Sequence, residues 1–75
     1  MRGGAYVKNK IKALREEAGF TQAALAKLTG VSRQAINAVE TGKYDPSIWL
    51  AHALSKAFGL PIEDIFIFEE EGEEK

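Results

Sequence analysis

Four glycines constrain this chain more than any other feature. Gly19, Gly30, Gly42 and Gly59 each follow a stretch whose apolar residues recur at helical spacing. Each suits the left-handed residue that ends a helix, because glycine has no Cβ to clash there. After three of them a helix-starting residue stands two positions on: Thr21, Ser32 and Pro61. Ser and Thr accept hydrogen bonds from free backbone N–H groups at a helix start, and Pro fits the first helical position. After Gly42 the connection is longer, and Ser47 supplies the cap. Between such stops there is room only for short helices.

Five helices are therefore expected. The first runs from about residue 7 or 9 to 18, with Val7, Ile11, Leu14 and Ala18 on one face. The second covers about 22–29 with Leu25 and Leu28 inward, and the third about 33–41 with Ile36 and Val39 inward. The fourth covers about 48–58, turning Leu50, Leu54, Ala57 and Phe58 inward, and the fifth is a short turn over about 61–65. Ile65-Phe66-Ile67-Phe68 then follows as a β-branched and aromatic run, too short for another helix. It reads as a short C-terminal strand, pairing either with its twofold mate or with Tyr6-Val7, since its backbone groups need partners.

Seventy-five residues make one domain, and so small a core invites support from dimerisation. The net charge of −1 averages two unlike regions. Residues 1–68 hold nine Lys and Arg against six Asp and Glu, a net of +3. Residues 69–75 hold five Glu and one Lys, and an acidic tail of that composition is expected to be disordered. It serves either solubility or competition with a polyanion for the basic body. The absence of cysteine excludes disulfides and thiolate metal sites. No apolar run approaches the roughly 18 residues of a membrane span, and no signal peptide stands at the start, so a cytoplasmic location is expected.

The second and third helices are joined only by Gly30-Val31-Ser32. A short turn containing glycine between two short helices is the signature of a helix-turn-helix, here spanning about 21–41. Arg33, Gln34, Asn37 and Ala38 fall on the outer face of the third helix. Their chemistry suits base edges: Arg pairs with guanine, Gln and Asn with adenine, and Ala meets a thymine methyl. Gln22, Ser32, Thr41, Lys43 and Tyr44 flank that face and suit phosphate oxygens, as do free N–H groups at helix starts.

Several stretches occur in order at matching spacings: Leu14-Arg15-Glu16-Glu17-Ala18-Gly19-Phe20-Thr21-Gln22, then Leu25-Ala26, then Gly30-Val31-Ser32-Arg33-Gln34-Ala35-Ile36, then Val39-Glu40-Thr41-Gly42-Lys43. In these the chain resembles the Cro/C1-type helix-turn-helix family, also called the XRE family, over about residues 7–66. The resemblance implies an all-α, five-helix, lambda-repressor-like domain that binds double-stranded operator DNA, usually as a homodimer. It implies that Gln22 contacts phosphate and that Arg33, Gln34, Asn37 and Ala38 face bases. It also implies a partly buried ion pair between Arg15 and Glu40 that ties the first helix to the third. Two residues depart from the pattern. Ala24 stands where Glu is common, and Trp49 where a polar residue is common.

Trp49 and Ile65, Phe66, Ile67 and Phe68 are the large apolar residues outside the motif, and exposed apolar groups mark interfaces. They are the expected dimer contact; the competing reading folds them over their own core. His52 is the only histidine and has no evident acid–base or metal partner, and Glu63-Asp64 and Glu16-Glu17 read as solvated helix residues. No nucleophile–base pair, phosphate loop or metal-ligand cluster is present, so neither an enzyme nor a cofactor is expected, and no small-molecule effector is foreseen. Two rival functions remain. One is an antitoxin or adaptor whose main partner is another protein. The other is a structural DNA-packaging role with little sequence preference.

Overall fold

The computed structural model describes residues 7–68. The acidic tail and Tyr6 lie outside the described residues. In chain order the elements are β1 (Lys8–Asn9), α1 (Ile11–Ala18), α2 (Gln22–Thr29), α3 (Arg33–Glu40), α4 (Ile48–Phe58), α5 (Ile62–Ile65) and β2 (Phe66–Ile67). Five helices thus surround one core, with a two-stranded sheet added.

Local chemistry sets the helix starts. Thr21, Ser32 and Ser47 each lie in extended conformation, and each hydroxyl oxygen accepts at 3.0 Å from the backbone N–H three residues on, at Ala24, Ala35 and Leu50. Pro61 stands one place outside α5, and its carbonyl accepts from Asp64 N. At Gly30 the chain turns from α2 into α3 with φ at 79°, a conformation costly for any residue with a Cβ.

The core joins Ile11 of α1, Leu25 and Ala26 of α2, Ile36 and Val39 of α3, Leu50 and Leu54 of α4, and Ile65 and Phe66. Burial of this apolar set is the main term opposing chain entropy. Phe20 and Phe58 pack as a tilted pair with centroids 6.5 Å apart against its edge.

Three expectations are corrected. The first helix begins at Ile11, because residues 8–9 are drawn into the sheet, and the Asn9 carboxamide oxygen accepts from Ile11 N at 3.0 Å. Leu28 is exposed, since α2 presents Leu25, Ala26 and Thr29 to the core and Leu28 falls outside that stripe. Ala18, the last residue of α1, is exposed as well.

The C-terminal strand pairs within the chain. β1 and β2 run antiparallel, with Lys8 opposite Ile67 and Asn9 opposite Phe66, and Lys10 N donates to Ile65 O at 2.8 Å. The partner segment is two residues further along than Tyr6-Val7. Ile65 and Phe66, expected in a dimer contact, are buried in the core of their own chain, because the alternation of the strand turns Phe66 inward. Ile67 and Phe68 remain exposed.

Candidate nucleic-acid interface

The site is built on α2, the turn Gly30-Val31-Ser32, and α3. Ile36 and Val39 anchor α3 to the core, so its opposite side faces solvent. On that side Arg33, Gln34 and Asn37 are exposed and Ala38 is half-buried. The side chains of Arg33 and Gln34 make no hydrogen bond or ion pair among the described residues, and their donors are free to meet a ligand.

The helix starts add backbone donors. At α2 the N–H groups of Gln22 and Ala23 have no acceptor among the described residues, and at α3 those of Arg33 and Gln34 have none. Such groups, at the positive end of a helix, favour anionic oxygens. Lys43 and Tyr44 are exposed in the loop after α3, held near it by backbone bonds from both N–H groups to Ala38 O.

A buried ion pair sits beneath this face. Arg15 Nε donates to Glu40 Oε2 at 2.6 Å and its terminal nitrogen to Oε1 at 3.3 Å, with side chains 11% and 4% exposed. Arg15 also donates to the Phe20 carbonyl at 3.0 Å, so one side chain fastens α1 to the α1–α2 turn and to α3. The hydrogen bond to Glu40 holds the Arg15 pKa above its ordinary value, against the opposing effect of burial. Glu40 is the only carboxylate between residues 21 and 43, a stretch with Lys27, Arg33 and Lys43. Pairing it with Arg15 leaves the motif cationic toward solvent.

Thr41, Ser32 and Gln22, the other expected phosphate contacts, also bond within the protein. Thr41 Oγ1 donates to Asn37 O at 2.8 Å and sits 3.3 Å from Ala38 O, so its hydroxyl hydrogen is engaged at the end of α3. The Ser32 hydroxyl oxygen caps α3 and keeps its own hydrogen. Gln22, half-buried, donates from Nε2 to Asn37 Oδ1 at 3.2 Å and to Glu40 Oε1 at 3.1 Å. Trp49 is 64% exposed, its ring 5.6 Å from that of His52, beside a groove of about 370 Å³ between α2 and α4 that Leu28 also lines.

Sequence reasoning passed over Asn9. Its Nδ2 donates to Val39 O at 2.8 Å while its Oδ1 accepts from the N–H of Ile11, the first residue of α1. The signal, an Asn two residues before the first apolar residue of a helix, was present; the bond to α3 had none.

Two helices at a glycine turn, one anchored by its apolar side and offering Arg, Gln and Asn to solvent, define the class of helix-turn-helix DNA-binding domains. A helix-turn-helix family model matches residues 11–65. An HTH-type transcriptional regulator of Methanocaldococcus jannaschii is 55% identical over 65 residues, covering 87% of this chain and 98% of that protein. One from Bacillus subtilis is 46% identical over 65 residues, with the same two coverages. Among solved structures, the restriction-modification controller protein C.AhdI of Aeromonas hydrophila superposes with a TM-score of 0.68 at 28% identity, covering 72% of this chain and 82% of that one. A transcriptional regulator of Listeria innocua shares the fold, with a TM-score of 0.72 at 19% identity over 91% of this chain and 67% of its own. The chain belongs to the Cro/C1-type helix-turn-helix family of DNA-binding transcriptional regulators. No helix among the described residues is long and apolar enough to cross a membrane.

Proposed function

We propose that this regulator is a sequence-specific repressor that acts in the cytoplasm as a homodimer on an inverted-repeat operator. The observation that carries the reading is the outer face of α3, where Arg33 and Gln34 stand exposed and, among the described residues, without side-chain partners, beside helix-start N–H groups that have no acceptor there. In the complex α3 enters the major groove, and Arg33, Gln34, Asn37 and Ala38 meet base edges. Lys43, Tyr44, the Ser32 hydroxyl and the backbone N–H groups of Gln22 and Ala23 meet phosphates and set the register. Two copies related by a twofold axis place their α3 helices in successive grooves, about 34–36 Å or 10–10.5 base pairs apart.

The surface left for the second copy is Trp49 with Ile67 and Phe68, joined by Ile48 at the start of α4. Val7 N donates to Asp45 Oδ1 at 2.8 Å, which holds the residue before β1 against the loop leading into α4.

The test is selection of sites from a random duplex library at near-physiological salt, with wild type and Gln34→Ala in parallel. An enriched inverted repeat that changes at one position in the variant supports the reading. No enrichment by the wild type overturns it. A second reading, an antitoxin or adaptor, is favoured by the apolar groove at Leu28 and Trp49; a stoichiometric co-purifying protein lost on Trp49→Lys would carry it.

A further inference from the structure

Gln22 links the buried ion pair to the base-reading face, and the chemistry of that link fixes which way an amide points. The Glu40 carboxylate, paired with Arg15, offers only acceptors. The group of Gln22 that faces it must therefore be the NH2, which donates to Glu40 Oε1 at 3.1 Å. The same nitrogen lies 3.2 Å from the Asn37 side chain, so Asn37 must meet it with its acceptor, Oδ1. With Oδ1 drawn back toward α2, the remaining polar group of Asn37, its NH2, leads outward from α3. Each step in this chain from Arg15 to Asn37 dictates the polarity of the next.

We infer that Gln22 is a positioning residue for base reading, holding Asn37 so that it presents a donor to the major groove. Both amide hydrogens of Gln22 are engaged inside the protein, so the anion contact at the start of α2 falls to the backbone N–H groups of Gln22 and Ala23. Asn37 held in this way selects bases whose major-groove edge offers acceptors, guanine by N7 and O6 or thymine by O4. It is turned away from the paired donor and acceptor bonds that a freely rotating Asn makes to adenine. The inference rests on the reading of α3 as the base-contacting helix.

The experiment uses the full chain as wild type, Gln22→Met and Asn37→Ala, with Gln22→Ala as a second version should Met not fold. Sites are selected from a random duplex library, and the base position lost in Asn37→Ala is identified. The wild type should prefer guanine or thymine there, by on the order of tenfold. Gln22→Met should lose that preference or move it toward adenine, leaving the positions read by Arg33 and Gln34 unchanged. An unchanged preference at that position, or a uniform loss of affinity for every duplex, overturns the inference; the uniform loss is what a phosphate contact gives. Nitrogen-15 relaxation of the Asn37 side-chain amide, without DNA, provides an independent reading. The amide should be ordered in the wild type and mobile in Gln22→Met, and equal mobility overturns the inference. A wild type that enriches no sequence while its Asn37 amide is released in Gln22→Met would instead sink the DNA reading and leave the positioning intact.

Discussion

The Asn9 side-chain amide donates to the Val39 carbonyl at 2.8 Å, which fastens the strand before α1 to the last turn of α3. The other end of the same amide accepts from Ile11 N at 3.0 Å. One residue thereby satisfies the Ile11 N–H, which the start of α1 leaves unpaired, and adds a second donor to Val39 O, which Gly42 N also reaches at 3.0 Å. Replacing Asn9 by Ala should cost about 1–3 kcal/mol, since Ile11 N loses its acceptor and the tie from β1 to α3 is lost in a half-buried place. Asn9→Asp keeps the acceptor for Ile11 and loses the donor, so its cost should fall between wild type and Ala. Urea unfolding of the three proteins checks the order; an Asp variant as weak as Ala would assign the whole effect to the bond to Val39 O.

Arg15 and Glu40 are nearly buried, so removing one strands the other. Glu40→Ala should destabilise by about 3–5 kcal/mol, while Arg15→Leu with Glu40→Leu should cost much less than the two single changes together. The pH dependence follows from the raised Arg15 pKa. A raised value means that its contribution is complete below the unfolded pKa and fades only as pH rises through the folded one. The stability difference between wild type and the double variant should thus carry no Arg15 step from about pH 6 to about pH 10. Denaturant titrations at several pH values measure it.

Gly30 holds φ at 79°, and a Cβ placed there would meet no atom within 4 Å. The cost of Gly30→Ala is therefore backbone strain alone, about 1–2 kcal/mol. In a domain of this size that lowers the melting midpoint by roughly 4–8 °C per kcal/mol. A scan that shows no change would mean the turn relaxes into another conformation.

Lys43 is exposed at the foot of α3 with no protein partner among the described residues. If it meets a phosphate, Lys43→Ala should weaken binding to all duplexes alike and lower the slope of log K against log salt by about 1. Fluorescence anisotropy across a salt series reads the slope.

Trp49 is 64% and Phe68 53% exposed, more than a lone chain has reason to leave in water. Sedimentation should find a dimer at micromolar concentration, converted to monomer by Trp49→Lys. A wild-type monomer at that concentration would remove the twofold model of operator binding.

Much of this fold was legible because its determinants are local. Thr21, Ser32 and Ser47 cap the next helix through their own side chains three residues ahead, and the glycines end helices by their own backbone. What escaped depends on elements meeting in space. Residues 8 and 9 carry a helical pattern, but pairing with Phe66 and Ile67 draws them into a strand. The orientation of α2 in the bundle, and not its sequence, decides that Leu28 faces out. At the candidate site the residue types on α3 could be read from spacing. The bonds of Gln22 to Asn37 and Glu40 cross from one helix to another and leave no periodic trace.

The small sheet has a further consequence for how the domain assembles. Its strands come from opposite ends of the described chain, so their pairing closes the longest loop available and returns only a few backbone bonds for the entropy lost. The helices, whose contacts are mostly between neighbours in sequence, have no such delay. The sheet is thus the natural last step of folding, and the Lys10 amide, bonded to Ile65 O, is where hydrogen exchange would register its opening.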